Sequence, residues 1–123
     1  MQILKLITDG DLEGVVSSIS LIEVATLFYK KDESQKGRKA VDLIRALSKT
    51  TIVDVTADMA INIASTKVSE RLSIADAAVM TSAVELRSDV FLTYDNDFAK
   101  VKKIRCMKPE DYLKILKEEG VQE

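Results

Sequence analysis

Histidine and tryptophan are absent from this 123-residue chain, which has one cysteine, one proline and four glycines. Without histidine, imidazole general bases, Ser-His triads and His-containing zinc sites are excluded within the chain. The lone Cys106 excludes an internal disulfide framework. Aromatic residues make up only 5%, so Ile, Leu, Val and Ala must build the core, as is common in α/β proteins. No apolar run approaches the roughly 20 residues of a membrane span, and a short amphipathic segment, not a signal peptide, follows Met1. A soluble, cytoplasmic protein without membrane partners is expected. Acid–base or metal chemistry falls to carboxylates.

The length suits one domain over residues 1–123, and 46% hydrophobic residues can furnish its core. The net charge of −2 hides a segregation of charge. Lys30–Lys49 holds seven basic and three acidic residues, and Lys100–Lys108 holds five basic and none acidic. The rest of the chain is therefore strongly acidic.

One stretch, Leu72–Phe98, organises the remainder. Ile74, Ala75, Ala77, Ala78, Val79, Met80, Ala83, Val84 and Leu86 leave almost no polar face, which predicts a buried helix N-capped by Ser73 with Asp76 in its first turn. After a break at Ser88-Asp89, Val90-Phe91-Leu92-Thr93 reads as a strand buried on both faces of a parallel sheet. Tyr94-Asp95-Asn96-Asp97 then sets two carboxylates past that strand's carboxyl end, the edge where open α/β sheets bind ligands.

Upstream, Ile3, Leu4, Leu6 and Ile7 give a helical stripe ending at Asp9-Gly10. Val15–Ile19 is a strand candidate, and Ser20-Leu21-Ile22-Glu23 has the form of a capping box opening a helix to Lys31. A polar loop over 32–37 precedes a helix in which Ala40, Val41, Leu43, Ile44 and Leu47 recur at helical spacing. Thr51–Val55 is strand-like. Thr56 can cap a helix whose inward positions are Met59, Ala60, Ile63, Ala64, Val68 and Leu72. Downstream, Ile104–Met107 is a short strand, and Pro109 opens a helix with Tyr112, Leu113, Ile115 and Leu116 that ends near Gly120. Alternating strands and helices predict an α/β three-layer sandwich with a mostly parallel sheet.

Glu23 and Asp76 each hold the fourth place of a Ser-x-x-acid sequence, where an acid can simply satisfy the helix start for roughly 0.3–1 kcal/mol. Asp95-Asn96-Asp97 can likewise be a turn whose Asp97 caps a short helix starting at Phe98. The other reading rests on the combination. Two helix starts after strands and one strand end lie at the same edge of a parallel sheet, and carboxylates gathered there need a cation. Hard oxygen donors without Cys or His suit Mg²⁺ or Mn²⁺.

The segments Ser17–Val24 (S-S-I-S-L-I-E-V), Leu72–Ala77 (L-S-I-A-D-A) and Thr93–Phe98 (T-Y-D-N-D-F), in this order, resemble the PIN domain family, and within it the ribonuclease toxins of VapBC-type toxin–antitoxin systems. The resemblance implies a metal-dependent endoribonuclease with Glu23, Asp76 and Asp95 as Mg²⁺ or Mn²⁺ ligands and Asp97 as a supporting acid. It also implies Thr93 as a polar neighbour, a homodimer or higher oligomer, and a VapB-like antitoxin that masks the site. Lys100, Lys102, Lys103 and Arg105 follow the acids and suit RNA phosphates, or form an ordinary solvated surface. Tyr94 is the one aromatic beside the acids, for stacking or for packing. Cys106, with apolar neighbours, reads as core filler.

Members of the family usually open with a central strand ending in Asp-x-Asn, whose Asp is the first acid of the metal site. Nothing here corresponds, because Met1–Ile7 aligns with the helix before the second strand. Three outcomes are expected to compete: a truncated or misassigned start, a compensating strand from a partner chain, or closure of the gap between the flanking strands. Buried backbone groups left unpaired cost about 1–3 kcal/mol each. The missing acid also raises an alternative, a catalytically impaired PIN-like protein that binds RNA or an antitoxin or serves as an oligomeric module. An unrelated phosphohydrolase with an aspartate nucleophile fits less well, since no Asp follows the first strand in a phosphate-binding loop.

Overall fold

Val15 and Val16 form the centre of the first strand, β1 (Gly14–Ser17), in a computed structural model that describes residues 12–120. The helix expected over Met1–Ile7 lies outside those residues. The hydroxyl of Ser17 accepts the Ile19 N–H at 3.2 Å and starts helix α1 (Ser18–Lys30). The cap is therefore Ser17 and not Ser20, and Glu23 stands in the second turn instead of the first. Helix α2 (Ser34–Ala46) begins inside the expected polar loop. Gly37 lets α2 lie close against α1, since a Cβ there would stand 3.1 Å from Phe28 Cβ. The two helices pack closely through that contact.

Strand β2 (Thr50–Val53) follows, and Thr56 precedes a 3₁₀ turn, Ala57–Met59, that leads into α3 (Ala60–Glu70). Arg71 ends α3 in the left-handed conformation, with φ 54°. Ser73 caps α4 (Ile74–Glu85) by accepting the Asp76 N–H at 3.1 Å, as the sequence predicts. Strand β3 (Val90–Leu92), a 3₁₀ turn (Asn96–Lys100), β4 (Arg105–Met107) and α5 (Pro109–Glu118) complete the order. Pro109 sits at the start of α5, where its missing N–H costs nothing.

The strands are parallel, but they form two separate pairs. In one, Val15 lies opposite Thr51 and Val16 opposite Ile52. In the other, Phe91 lies opposite Cys106 and Leu92 opposite Met107. Among the described residues no strand joins β1 to β3, in keeping with an α/β fold of parallel strands that lacks its central one. Closure of the gap, one of the three expected outcomes, is excluded for these residues. Two-stranded pairs are marginal alone, and α4 supports them by packing on β1, α3 and α1.

Met80 is fully buried at the centre of α4, among Met59, Ile63, Leu72, Ala77, Ala78, Ala83, Phe98 and Ile104. Burial of such a side chain contributes about 1.5–3 kcal/mol. The expected all-buried α4 is corrected at its ends: Ile74 is 69% exposed, and Val84 and Leu86 also face solvent. In α3 the inward stripe runs through Met59, Ile63 and Thr66, leaving Ala60, Ala64 and Val68 exposed. A helix wedged against one neighbour buries a single i, i+4, i+7 line, and composition alone does not say which.

Candidate metal centre

Asp76 is held by the cap of its own helix, since the Ser73 hydroxyl fixes its backbone N–H and leaves the carboxylate at the head of α4. Asp95 is held by the turn after β3. Its N–H donates to Thr93 Oγ1 at 3.0 Å, and its Oδ1 accepts the Asp97 N–H at 2.9 Å. Asp95, and not Asp97, is therefore the cap of the 3₁₀ turn, which starts at Asn96 and not at Phe98. Thr93 is anchored in turn by its N–H on the Met107 carbonyl at 3.0 Å, an extension of the β3–β4 ladder. The Phe91 and Phe98 rings, 4.8 Å apart, pin the turn to β3 from below.

These anchors bring carboxylate oxygens of Asp76, Asp95 and Asp97 within 4.8 Å of one another. Asp76 is half-buried, whereas Asp95 and Asp97 are exposed. The donor set is oxygen only, in keeping with a chain that has no histidine. Glu23 does not join this group among the described residues, yet it lines the same cleft as Asp76, Asp95, Thr93 and Ser20. Because α1 starts at Ser18, capping does not account for Glu23.

The cleft measures about 800 Å³ and runs between the two strand pairs. Its apolar lining includes Val15, Val16, Val79, Ala83, Phe91 and Leu92. Sequence reasoning missed Glu13, Arg87 and Asp89, which also line it. No local motif marks them. They belong to the cleft only because the strand pairs stand apart.

Lys100, Lys102, Lys103 and Arg105 do not line the cleft. Lys100 Nζ donates to the Arg71 carbonyl at 2.8 Å, and Lys103 Nζ to Thr66 Oγ1 at 3.0 Å. The Lys102 N–H reaches Glu70 Oε2 at 3.4 Å. The carboxyl end of α3 thus draws this basic segment, a placement the helix dipole favours. Tyr94 is exposed, and its hydroxyl donates to Glu110 Oε1 at the start of α5. That hydrogen bond, with smaller contributions from desolvation and the Glu110 charge, pushes the tyrosine hydroxyl up from its ordinary value. Burial chiefly, and then Glu70, pushes the Cys106 thiol up, as befits a side chain packed against the core.

The sequence pattern of the PIN domain matches residues 1–104. The chain belongs to the PIN domain family. Its fold is similar to that of a chain in the crystal structure of VapBC2 from Rickettsia felis bound to a DNA fragment from their promoter, with a TM-score of 0.67. The likeness covers 87% of this chain and 82% of that one at 16% identity. No curated protein sequence matches it. Within this PIN domain, no helix among the described residues is long and apolar enough to cross a membrane.

Proposed function

We propose that this PIN domain is a metal-dependent endoribonuclease of the VapC toxin type, hydrolysing RNA phosphodiester bonds. The observation that carries the reading is the approach of the Asp76, Asp95 and Asp97 carboxylates to within 4.8 Å at the mouth of a cleft. An all-carboxylate donor set suits Mg²⁺ or Mn²⁺. Asp76 and Asp95 would hold the ion, with Asp97 as supporting acid and Glu23 on the same cleft. A bound ion of this kind lowers the pKa of water and stabilises charge on a phosphate.

The chain's own residues supply position. Ser73 sets Asp76, Thr93 sets Asp95, and Asp95 in turn orders the Asp97 backbone. Water is the nucleophile, and the protein forms no covalent intermediate. Exposed Lys102 and Arg105 are left to meet flanking RNA phosphates, while Lys100 and Lys103 are engaged on α3. The likeness to a VapBC2 structure supports a VapB-like antitoxin as partner. A homodimer or higher oligomer in the cytoplasm completes the proposal.

A second reading, a PIN-like module that binds RNA or antitoxin without cutting, is favoured by one observation: among the described residues only three carboxylates converge, with Glu23 outside their group. Calorimetry with Mn²⁺ on the parent chain and on Asp76→Asn, with RNA cleavage followed in parallel, separates the two. Binding and cleavage that both vanish in the variant support the nuclease. A parent chain that binds no Mn²⁺ and leaves RNA intact overturns it.

A further inference from the structure

Tyr94 stands between two residues of the acid site and takes no part in it. Thr93 and Asp95 line the cleft and Tyr94 between them does not, so its ring lies on the outer side of that segment, at the lip of the site. The residue is 62% exposed, and packing does not account for it. Phe91 and Phe98 differ in this respect, since their rings meet 4.8 Å apart beneath the same turn. Among the described residues no other ring touches Tyr94.

A single exposed aromatic needs no explanation by itself. Tyr94 differs in being held at both ends. On either side its backbone is fixed: the Thr93 N–H donates to the Met107 carbonyl at 3.0 Å, and the Asp95 N–H reaches back to Thr93 Oγ1 at 3.0 Å. Its hydroxyl donates to Glu110 Oε1 at the start of α5, 16 residues further on. That bond favours the protonated phenol, so the tether persists at neutral pH. A ring tied by its tip has lost its rotamer freedom before anything binds, while most of its surface is left to solvent. Rigid aromatic area of this kind binds with little further ordering.

The charges around the ring select what can lie on it. Glu110 at its tip and Asp95 and Asp97 in the following turn disfavour a phosphate there, whereas an uncharged planar group meets no such repulsion. We propose that Tyr94 is a stacking platform for one RNA base, and that Glu110 is the positioning residue that holds the ring for it. Consecutive Cα atoms are about 3.8 Å apart, so the stacked base belongs to a nucleotide next to the phosphate held at Asp95. It is an unpaired base, because bases inside a duplex are stacked on one another and their faces are closed to a side chain. Stacking of this kind tolerates any base and fixes the register of the strand, which decides the phosphate that reaches the acids. The inference rests on the RNA reading of the acid cluster and adds to it the group that places the strand.

The test uses the 123-residue chain with Mg²⁺ and two end-labelled probes that carry the same phosphates, hexaadenylate and its fully abasic counterpart. Fluorescence anisotropy gives both affinities, and their ratio is the quantity read, since phosphate contacts cancel in it. Tyr94→Leu should lower the ratio about tenfold. Tyr94→Phe and Glu110→Ala, which keep an aromatic ring and release its tip, should lower it about threefold. Glu110→Gln keeps an acceptor and should match the parent. By NMR, hexaadenylate and not the abasic chain should move the Tyr94 ring protons upfield, a shift that a merely structural tyrosine does not show. Hexaadenylate that does not bind, a ratio unchanged in Tyr94→Leu, or ring shifts produced equally by the abasic chain overturn the proposal. So does a ring that responds only to an arginine-rich peptide, which assigns it to a protein partner. Cleavage of RNA is followed on the same samples. A lowered ratio in a chain that cuts nothing supports the platform and overturns the nuclease, whereas cleavage with an unchanged ratio does the reverse.

Discussion

Asp76 at the head of α4 and Asp95 in the turn after β3 bring carboxylate oxygens within 4.8 Å of one another, although they lie on separate elements. Asp95 serves two purposes there, since its Oδ1 also accepts the Asp97 N–H. The purposes separate by substitution. Asp95→Asn keeps an oxygen for the cap and loses the charge, whereas Asp95→Ala loses both. We expect both variants to weaken Mn²⁺ binding by calorimetry, and only Asp95→Ala to lose about 1 kcal/mol of stability as well. Equal stability of the two variants would remove the capping role.

Met80 tests the core that supports the site. It is fully buried in α4, in one core cluster with Met59, Ile63, Leu72, Phe98 and Ile104. Met80→Ala leaves a cavity in that cluster. We expect a loss of about 2–5 kcal/mol in urea unfolding. A loss well below that range would mean that α4 relaxes to fill the space.

Tyr94 and Glu110 give a prediction in pH. The Tyr94 hydroxyl lies above its ordinary value of 10.0 because it donates to the Glu110 carboxylate. A raised value means that the folded chain favours the protonated phenol, so the contribution is complete below the unfolded value and is lost as pH rises through the folded one. The melting-temperature gap between the parent chain and Tyr94→Phe should therefore be constant at neutral pH and narrow on the alkaline side of 10.0. A gap that widens there would show that the bond does not stabilise the fold.

Much of this architecture was legible because local chemistry decided it. Ser73 caps α4, Pro109 opens α5, and the apolar runs at Val15-Val16 and Val90–Leu92 form strands. What failed to show was decided where residue type leaves more than one choice open. Ser17 displaced Ser20 as the cap of α1, with both serines equally suited by type. Gly37 lies inside α2, where it accepts the close approach of Phe28, although its type suits a loop. Positions at two helix starts and a strand end group Glu23, Asp76 and Asp95 with Asp97 beside them, whereas the structure gathers Asp76, Asp95 and Asp97 and leaves Glu23 elsewhere on the same cleft. Glu13, Arg87 and Asp89 carry no signal of their own, since the gap between strand pairs is what gathers them.

Lys103 distinguishes a structural cation from an RNA-binding one. Its Nζ donates to Thr66 Oγ1 at 3.0 Å, and the Thr81 hydroxyl lies 3.5 Å from the same oxygen. Thr66 and Thr81 are both buried, so the lysine completes a polar contact between α3 and α4. Lys103→Met keeps most of the apolar stem and removes the donor. Thr66 then keeps only its longer contact with Thr81, and we expect a loss of about 0.5–1.5 kcal/mol in urea unfolding. RNA affinity should hold, and the slope of its logarithm against that of salt concentration should not change. A cation used on phosphate behaves in the opposite way: stability is kept, affinity falls across sequences, and the slope drops by about one. Exposed Lys102, whose side chain has no such engagement with α3, is the control, and Lys102→Met should follow the second pattern if RNA crosses this face.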